Sequence, residues 1–176
     1  MSYQAAPDVN QMADNRDLSS NSGLASAIEP NSASADMIIV DIPADLRYVN
    51  ILGAAVSAFV VNIEGLVDRE ATLYNLELAI QEVSVNIATH AYAIYPGRIR
   101  MSAALSHPLQ QLTIILHDTG VSFNPTEVPD PALGELQEHG YGLFLVRQLI
   151  DEVEYIPAAG ENIWKLIKNL PISRAA

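Results

Sequence analysis

The sequence predicts an α/β two-layer sandwich in which helices pack on one face of a mixed, mostly antiparallel β-sheet. The first observation is the order of its patterns: a strand, two helices, two strands, a long loop, a helix and two strands. The second is that consecutive strands are joined by short turns, which is typical of antiparallel hairpins. The third is that 49% of the 176 residues are hydrophobic, enough for the core of one domain.

The folded unit is expected to begin at Met37. Residues 1–36 are dominated by Ser, Asn, Ala and Asp without a sustained apolar period, so we expect a disordered tail. The β-rich run 37–43 closes with a proline, which suits a first strand. Residues 37–170 are then the domain, and residues 171–176 form a C-terminal tail.

Two helices are predicted after this strand. Asp45 is the expected N-cap of the first helix. Its core-facing residues, at helical spacing, are Leu46, Val49, Val56, Val60, Ile63 and Val67. The second helix runs from about Glu70 to Tyr92, and Pro96-Gly97 ends it. Its expected buried stripe is Leu73, Leu76, Ile80, Val83 and Ile87.

The second half of the chain predicts two hairpins around a loop and a helix. Arg98–Ser106 and Gln110–His117 are strands joined by a turn containing Pro108. The proline-rich stretch Thr119–His139 is expected to be a long, mobile lid. Gly140–Asp151 returns to the helical period. The final hairpin pairs Val153–Ile156 with Asn162–Leu170.

Composition argues against several classes of function. The net charge of -12 disfavours nucleic-acid binding, which depends on clustered Lys and Arg. Cysteine is absent, so a thiolate metal site is excluded. No segment reaches the roughly 18 apolar residues of a membrane-spanning helix. We therefore expect a soluble, cytoplasmic protein whose partner is a protein or a small molecule.

The first candidate site lies on the second helix. Glu82, Asn86 and His90 are spaced i, i+4 and i+8, so one stripe would carry all three beside the apolar face. Such a pair of Glu and Asn is more often a solvated polar stripe. Here, however, Val83, Val85 and Ile87 indicate a helix buried on most sides, and its polar groups then need a reason to be there.

The second and third candidate sites each contain glycine. Asp118-x-Gly120 follows an apolar strand; it suits an ordinary turn, or a carboxylate that accepts a hydrogen bond from the adenine amine. In the second case Gly120 would let the ligand approach the backbone. Gly140-x-Gly142 opens an apolar helix, whose N-terminus favours phosphate.

Four segments in this order resemble the Bergerat-fold ATPases, which include gyrase, the ninety-kilodalton chaperone, histidine kinases and mismatch-repair proteins. The segments are ELAIQEVSVNIATHAY, LHDTGVSFNP, HGYGLFLVRQLIDEVEY and GENIWKLIKNL. Within that superfamily the chain is most similar to the bacterial anti-sigma-factor serine/threonine kinases. The resemblance covers about residues 37–170.

The resemblance implies a site for ATP and Mg²⁺. Glu82 would be the general base, Asn86 the magnesium ligand and Asp118 the residue that reads adenine. The remaining residues implied to bind nucleotide are His90, Gly120, Phe123, Gly140, Tyr141, Gly142 and Leu143. The implied partners are an antagonist domain and a sigma factor, and a homodimer is left open.

Two departures from the family pattern leave alternatives open. Ser122 stands where the longer D-x-G-x-G form has glycine, and Glu138-His139 precede Gly140 where some anti-sigma kinases carry arginine. The leading hypothesis is an ATP-dependent serine/threonine protein kinase that phosphorylates a small antagonist protein. The alternative is a nucleotide-binding module that sequesters a protein partner without efficient phosphoryl transfer.

Overall fold

The computed structural model describes residues 36–92, 95–108, 110–122, 141–158 and 160–173. The predicted N-terminal tail, except its last residue, lies outside these ranges. So does nearly all of the predicted lid, including Phe123, Glu138, His139 and Gly140.

The described residues form one five-stranded sheet with the strand order β1-β2-β3-β5-β4. Its strands are β1 (Asp36–Pro43), β2 (Arg98–Ser106), β3 (Gln111–Asp118), β4 (Glu152–Ala158) and β5 (Glu161–Asn169). All four strand pairings are antiparallel, so this sheet is antiparallel and not mixed. The two predicted hairpins are confirmed as β2–β3 and β4–β5. Both form because short turns join strands that each place apolar residues in the core.

Three α-helices lie within the described residues and pack against this sheet, as predicted. They are α1 (Asn50–Val60), α2 (Arg69–Asn86) and α3 (Tyr141–Leu149). Each presents buried apolar side chains, such as Val56, Ile80 and Val146, to the inward-facing residues of the strands. None of these helices combines the length and the apolar character needed to cross a membrane.

The first helix is shorter than the sequence predicts. It begins at Asn50 rather than after Asp45, and Val49 is its N-cap residue. The Asp45 carboxylate instead accepts hydrogen bonds from the backbone N–H (2.9 Å) and the guanidinium (2.7 Å) of Arg47. These contacts hold a turn before the helix. The predicted core position Leu46 is therefore wrong, because the side chain lies in that turn and is 58% exposed.

The helix also ends earlier than predicted, so the last two residues of its expected stripe lie outside it. Val60 is its last residue, and Val67 is exposed in the connection to α2. That connection is held by the C-terminal segment: Val67 N–H donates to the Pro171 carbonyl at 2.8 Å, and Ser173 N–H donates to the Gly65 carbonyl at 2.8 Å. Part of the predicted C-terminal tail is thereby attached to the domain.

Candidate functional site

The α-helical geometry of α2 ends immediately after Asn86, the second of the two polar residues predicted for the site. Glu82 and Asn86 are half-buried in the last turns of α2. Ile87–Ala91 then form a π-helical turn, in which hydrogen bonds run from i to i+5. The predicted α-helical stripe therefore holds only as far as Asn86, and His90 lies on the π turn, exposed. Such π turns inside helices are frequent at functional sites.

Glu82 lies against the N-terminal turn of α3. A side chain added at Gly142 would collide with Glu82 Oε2, and its Cβ would lie 3.3 Å from Glu82 Cδ. A larger residue at this position would therefore displace the end of the Glu82 side chain, a contact that the sequence does not show. The contact places a carboxylate beside the first turn of α3, where backbone N–H groups lack helical partners.

Asp118 is the last residue of β3, and the residue is 2% exposed. Its Oδ1 accepts hydrogen bonds from Gly120 N–H at 2.8 Å and from Asn162 Nδ2 at 2.9 Å. Burial raises the pKa of the Asp118 carboxyl, and the bonds from Asn162 and Gly120 and the neighbouring His117 oppose that rise. No residue of the described ranges bonds Oδ2, so that oxygen is left to accept from a ligand.

Asn162 is a site residue that the sequence reasoning missed. It lies on β5 directly opposite Asp118 and is 1% exposed. The signal was its position: Asn162, Trp164 and Leu166 alternate along one strand and all are buried. A polar side chain at an inward-facing strand position needs hydrogen-bond partners, and this one finds them in the turn after β3.

The turn after β3 is also fixed from the other side, by the end of the π-helical segment. The Tyr92 hydroxyl accepts a hydrogen bond from Thr119 N–H at 2.6 Å, and Val121 N–H donates to the Ala91 carbonyl at 3.0 Å. A Cβ added at Gly120 would lie 2.6 Å from the carbonyl oxygen of Ala91. The close approach observed at Gly120 is thus to the protein's own backbone, while its predicted ligand contact stays a prediction.

Replacing Gly120 with alanine should therefore detach the turn from the helix end. We expect Gly120→Ala to lower the free energy of unfolding by about 1–3 kcal/mol, as for an overpacked site, and to weaken ATP binding. Urea denaturation and calorimetry measure the two effects. Gly53→Ala is the matched control, because an added Cβ there would press on Glu77 Cγ at 2.9 Å, between α1 and α2 and not at the turn after β3. Unchanged ATP affinity in Gly120→Ala would contradict this role of the turn.

The predicted residues of α3 differ in their surroundings. Leu143 is buried in the core, so its side chain is committed to packing between α3 and the sheet. Tyr141 is 53% exposed, and its ring lies 5.6 Å from that of Phe144. Gly140 and Phe123 lie outside the described residues. Backbone groups at the start of α3, rather than the Leu143 side chain, are thus the expected ligand contacts.

A separate groove lies elsewhere on the molecule. It has a volume of about 1080 Å³ and runs between β1 and α1, lined by residues such as Ile38, Val40 and Phe59. None of the predicted site residues lines it. The candidate site is therefore defined by its side chains and not by this cavity.

The described side chains fit a nucleotide with a metal ion. Asp118 has one carboxylate oxygen that no described residue bonds, which suits a base amine, and the Glu82 carboxylate lies next to Gly142. Asn86 is half-buried, and among the described residues nothing hydrogen-bonds its side-chain amide, so its oxygen is available to a cation. The helix start at Tyr141 suits phosphate oxygens.

Fold and site together define an ATPase domain in which helices cover one face of an antiparallel sheet. Residues 42–168 match the family model described as a histidine kinase-like ATPase domain. The chain therefore belongs to this family, and the resemblance drawn from its motifs is confirmed.

Two relatives of this chain are both named serine-protein kinases. Serine-protein kinase RsbW of Bacillus mycoides (strain KBAB4) is 29% identical over 141 residues, covering 73% of this chain and 82% of that protein. Serine-protein kinase RsbW of Bacillus cereus (strain AH187) is 28% identical over the same shares.

A solved structure shares the fold. The RsbU and RsbW domains of Rv1364c from Mycobacterium tuberculosis match with a TM-score of 0.56 and 19% identity, over 77% of this chain and 32% of that one. This chain thus corresponds to about a third of that longer protein.

Proposed function

We propose that this protein is an ATP-dependent serine/threonine protein kinase of the anti-sigma-factor type, which phosphorylates a small antagonist protein in a bacterial partner switch. The contact between Glu82 and Gly142 carries this proposal, because it brings a carboxylate to the helix start at which phosphates would bind. The kinship with proteins named serine-protein kinases supports the same activity.

Asp118 is assigned to the base of the nucleotide. Its Oδ1 is held by two N–H donors, so Oδ2 is the oxygen that faces a ligand. An acceptor at that position suits the exocyclic amine of adenine and repels the carbonyl oxygen of guanine. The buried surroundings strengthen this discrimination, since an unpaired polar group costs more there than in water.

Glu82 is assigned the role of general base, which accepts the proton of the attacking hydroxyl. The hydroxyl oxygen of a partner serine or threonine attacks the γ-phosphorus of ATP, the bond to the bridging oxygen breaks, and ADP leaves. The hydroxyl proton passes to the Glu82 carboxylate. The position of Glu82 beside Gly142 supports this role, because the general base must lie next to the phosphate that is transferred.

Asn86 is assigned to Mg²⁺. When bound, the ion neutralises phosphate charge and orients the phosphate oxygens. The chain itself supplies little of that charge, because no Lys or Arg lies between Arg100 and Arg147, the span that contains the adenine turn and the start of α3.

Removing the metal should therefore weaken ATP binding steeply. We expect chelation to reduce ATP affinity by about 1–3 kcal/mol, or roughly 5- to 150-fold, as for a typical coupling between two ligands. Calorimetric titration of ATP with Mg²⁺ and then with chelator measures the difference. Equal affinities would show that a basic residue such as Arg147, or a partner subunit, neutralises the phosphates instead.

The partner assignment is tested by phosphate transfer. The pure protein is incubated with labelled ATP and with candidate antagonist domains encoded near its gene, and label on the candidate is followed over time. Transfer to one candidate supports the kinase. If ATP binds and a candidate is captured, yet no label moves, the alternative of a nucleotide-binding module that sequesters its partner replaces it.

A further inference from the structure

The Asn162 side chain uses every hydrogen bond that it can make. Its Nδ2 donates to Asp118 Oδ1 at 2.9 Å and to the Gly120 carbonyl at 3.1 Å. Its Oδ1 accepts from Ser122 Oγ at 2.6 Å and from the Tyr155 hydroxyl at 3.0 Å. With two donors and two acceptor positions filled, the amide is saturated.

The orientation of this amide is fixed by chemistry. The Gly120 carbonyl has no proton, and Asp118 Oδ1 already accepts from Gly120 N–H, so a flipped amide would place its oxygen against two acceptors. The nitrogen must therefore face the turn. Tyr155 reinforces this arrangement, because its ring packs on Trp164 with 4.7 Å between centroids.

Ser122 acquires a role in the same network. It stands where the longer form of the motif has glycine, and its hydroxyl makes the shortest of the four bonds to Asn162. A glycine has no side chain to make that bond. The Ser122–Asn162 pair thus ties the turn after β3 to β5 at a position where the backbone alone would leave it free.

We propose that Asn162 is a positioning residue for base recognition: it holds Asp118 so that only Oδ2 faces the nucleotide, and thereby sets the preference for adenine over guanine. This inference rests on the proposed function, since it assumes that Asp118 reads the base. The carboxylate is prevented from rotating, because Asn162 on β5 and Gly120 in the turn engage the same oxygen from two different elements. An unheld carboxylate would rotate or protonate, and a protonated one can donate to the guanine oxygen.

Two variants separate the donor from the acceptor half of the amide. Asn162→Asp keeps the oxygen that Ser122 and Tyr155 bond but removes the N–H donors, while Asn162→Leu removes both halves. Asn169→Asp is the matched control: it makes the same change on the same strand, at an exposed residue whose Oδ1 accepts from Gln111. All three are made in the full chain.

The readout is the affinity for MgATP and for MgGTP across a pH series. We expect Asn162→Leu to lose roughly 10-fold or more in ATP affinity, as for a hydrogen bond to a charged group, and most of its preference over GTP. In Asn162→Asp the introduced carboxyl can donate only while it holds a proton. ATP affinity should therefore be close to that of the parent at low pH and fall as pH rises, because two adjacent carboxylates cannot both ionise without repulsion.

The ATP affinity of the parent protein should not show the fall with rising pH that is expected for Asn162→Asp. Its ATP affinity should not fall as pH rises through the raised pKa of Asp118, because ionisation makes the better acceptor. The titratable groups around the carboxyl are His117, the Tyr155 hydroxyl behind Asn162, Tyr92 across the turn and Glu161, whose Oε1 lies 3.7 Å from His117 Nε2. These groups and the ATP phosphates are common to all the variants. A reversed dependence of ATP affinity on pH is therefore caused by the residue at position 162.

Each outcome decides one assignment. If the parent binds ATP, and the Asn162 variants keep its ATP to GTP ratio and its pH slope, the positioning role is wrong. If Asn162→Leu unfolds, the isosteric Asn162→Asp decides alone. A parent that binds neither nucleotide contradicts the proposed function itself.

Discussion

Asp118→Asn is expected to abolish ATP binding while leaving the fold intact. Two N–H donors, from Gly120 and Asn162, converge on Oδ1, so the new amide must turn its oxygen toward them. Its NH₂ group then faces the adenine amine, and donor meets donor. A lost bond to a charged group and an unsatisfied donor together cost on the order of 3 kcal/mol or more, at least about 100-fold in affinity.

Calorimetric titration with MgATP measures this loss. The matched control is Asp41→Asn, which makes the same change at an exposed residue that pairs with Arg98 on the sheet edge. That control should bind ATP as the parent does. An Asp118→Asn protein that binds ATP with parental affinity would show that another residue reads the base.

The same variant should be at least as stable as the parent at neutral pH. The pKa of Asp118 is raised by burial, so its ionised form is less stable in the folded protein than in the unfolded chain. Stability is lost as pH rises from the ordinary value of 3.8 through the raised folded value. An asparagine does not titrate, so Asp118→Asn does not lose this stability. Its melting temperature should exceed that of the parent at neutral pH, and the difference should become smaller at pH values below this range.

Glu82→Ala is expected to bind ATP and fail to transfer its phosphate. A general base contributes about 100- to 10,000-fold to the rate and little to ground-state affinity. Glu82→Gln keeps the shape beside Gly142 and should lose transfer to the same extent. Calorimetry and single-turnover phosphate transfer separate binding from chemistry.

Glu77→Ala is the control for this pair of variants, because Glu77 lies on the same helix and is exposed. It should keep both properties. If Glu82→Gln loses binding and transfer in parallel, Glu82 is structural, a support for the start of α3 rather than a base.

The sequence predicted most of the sheet and part of the site, because those signals are local. Runs rich in apolar residues and bounded by turn residues marked β2, β3 and β5, and the acid and glycine at the end of β3 marked the turn. Asn162 was missed because its partner Asp118 is 44 residues away, and only the pairing of β3 with β5 brings them together.

The remaining differences have similar causes. The π turn after Asn86 ends at Ala91, where Val121 and Gly120 contact it, and no helical period reveals these contacts. The close approach between Gly142 and the Glu82 carboxylate joins two different helices, so no local pattern reveals it. The Asp45 carboxylate has the chemistry of an N-cap. It instead accepts hydrogen bonds from Arg47, two residues later, and these bonds form a turn.

The most direct test of a serine/threonine kinase is the chemical nature of the phosphorylated product. The protein is incubated with MgATP and with the antagonist domain proposed as its partner, and mass spectrometry locates the phosphate. The assignments made to Asp118 and Glu82 predict an acid-stable phosphate on a serine or threonine of the partner, absent with Glu82→Gln and with Asp118→Asn. An acid-labile phosphate on histidine, or transfer that persists in Glu82→Gln, would contradict them.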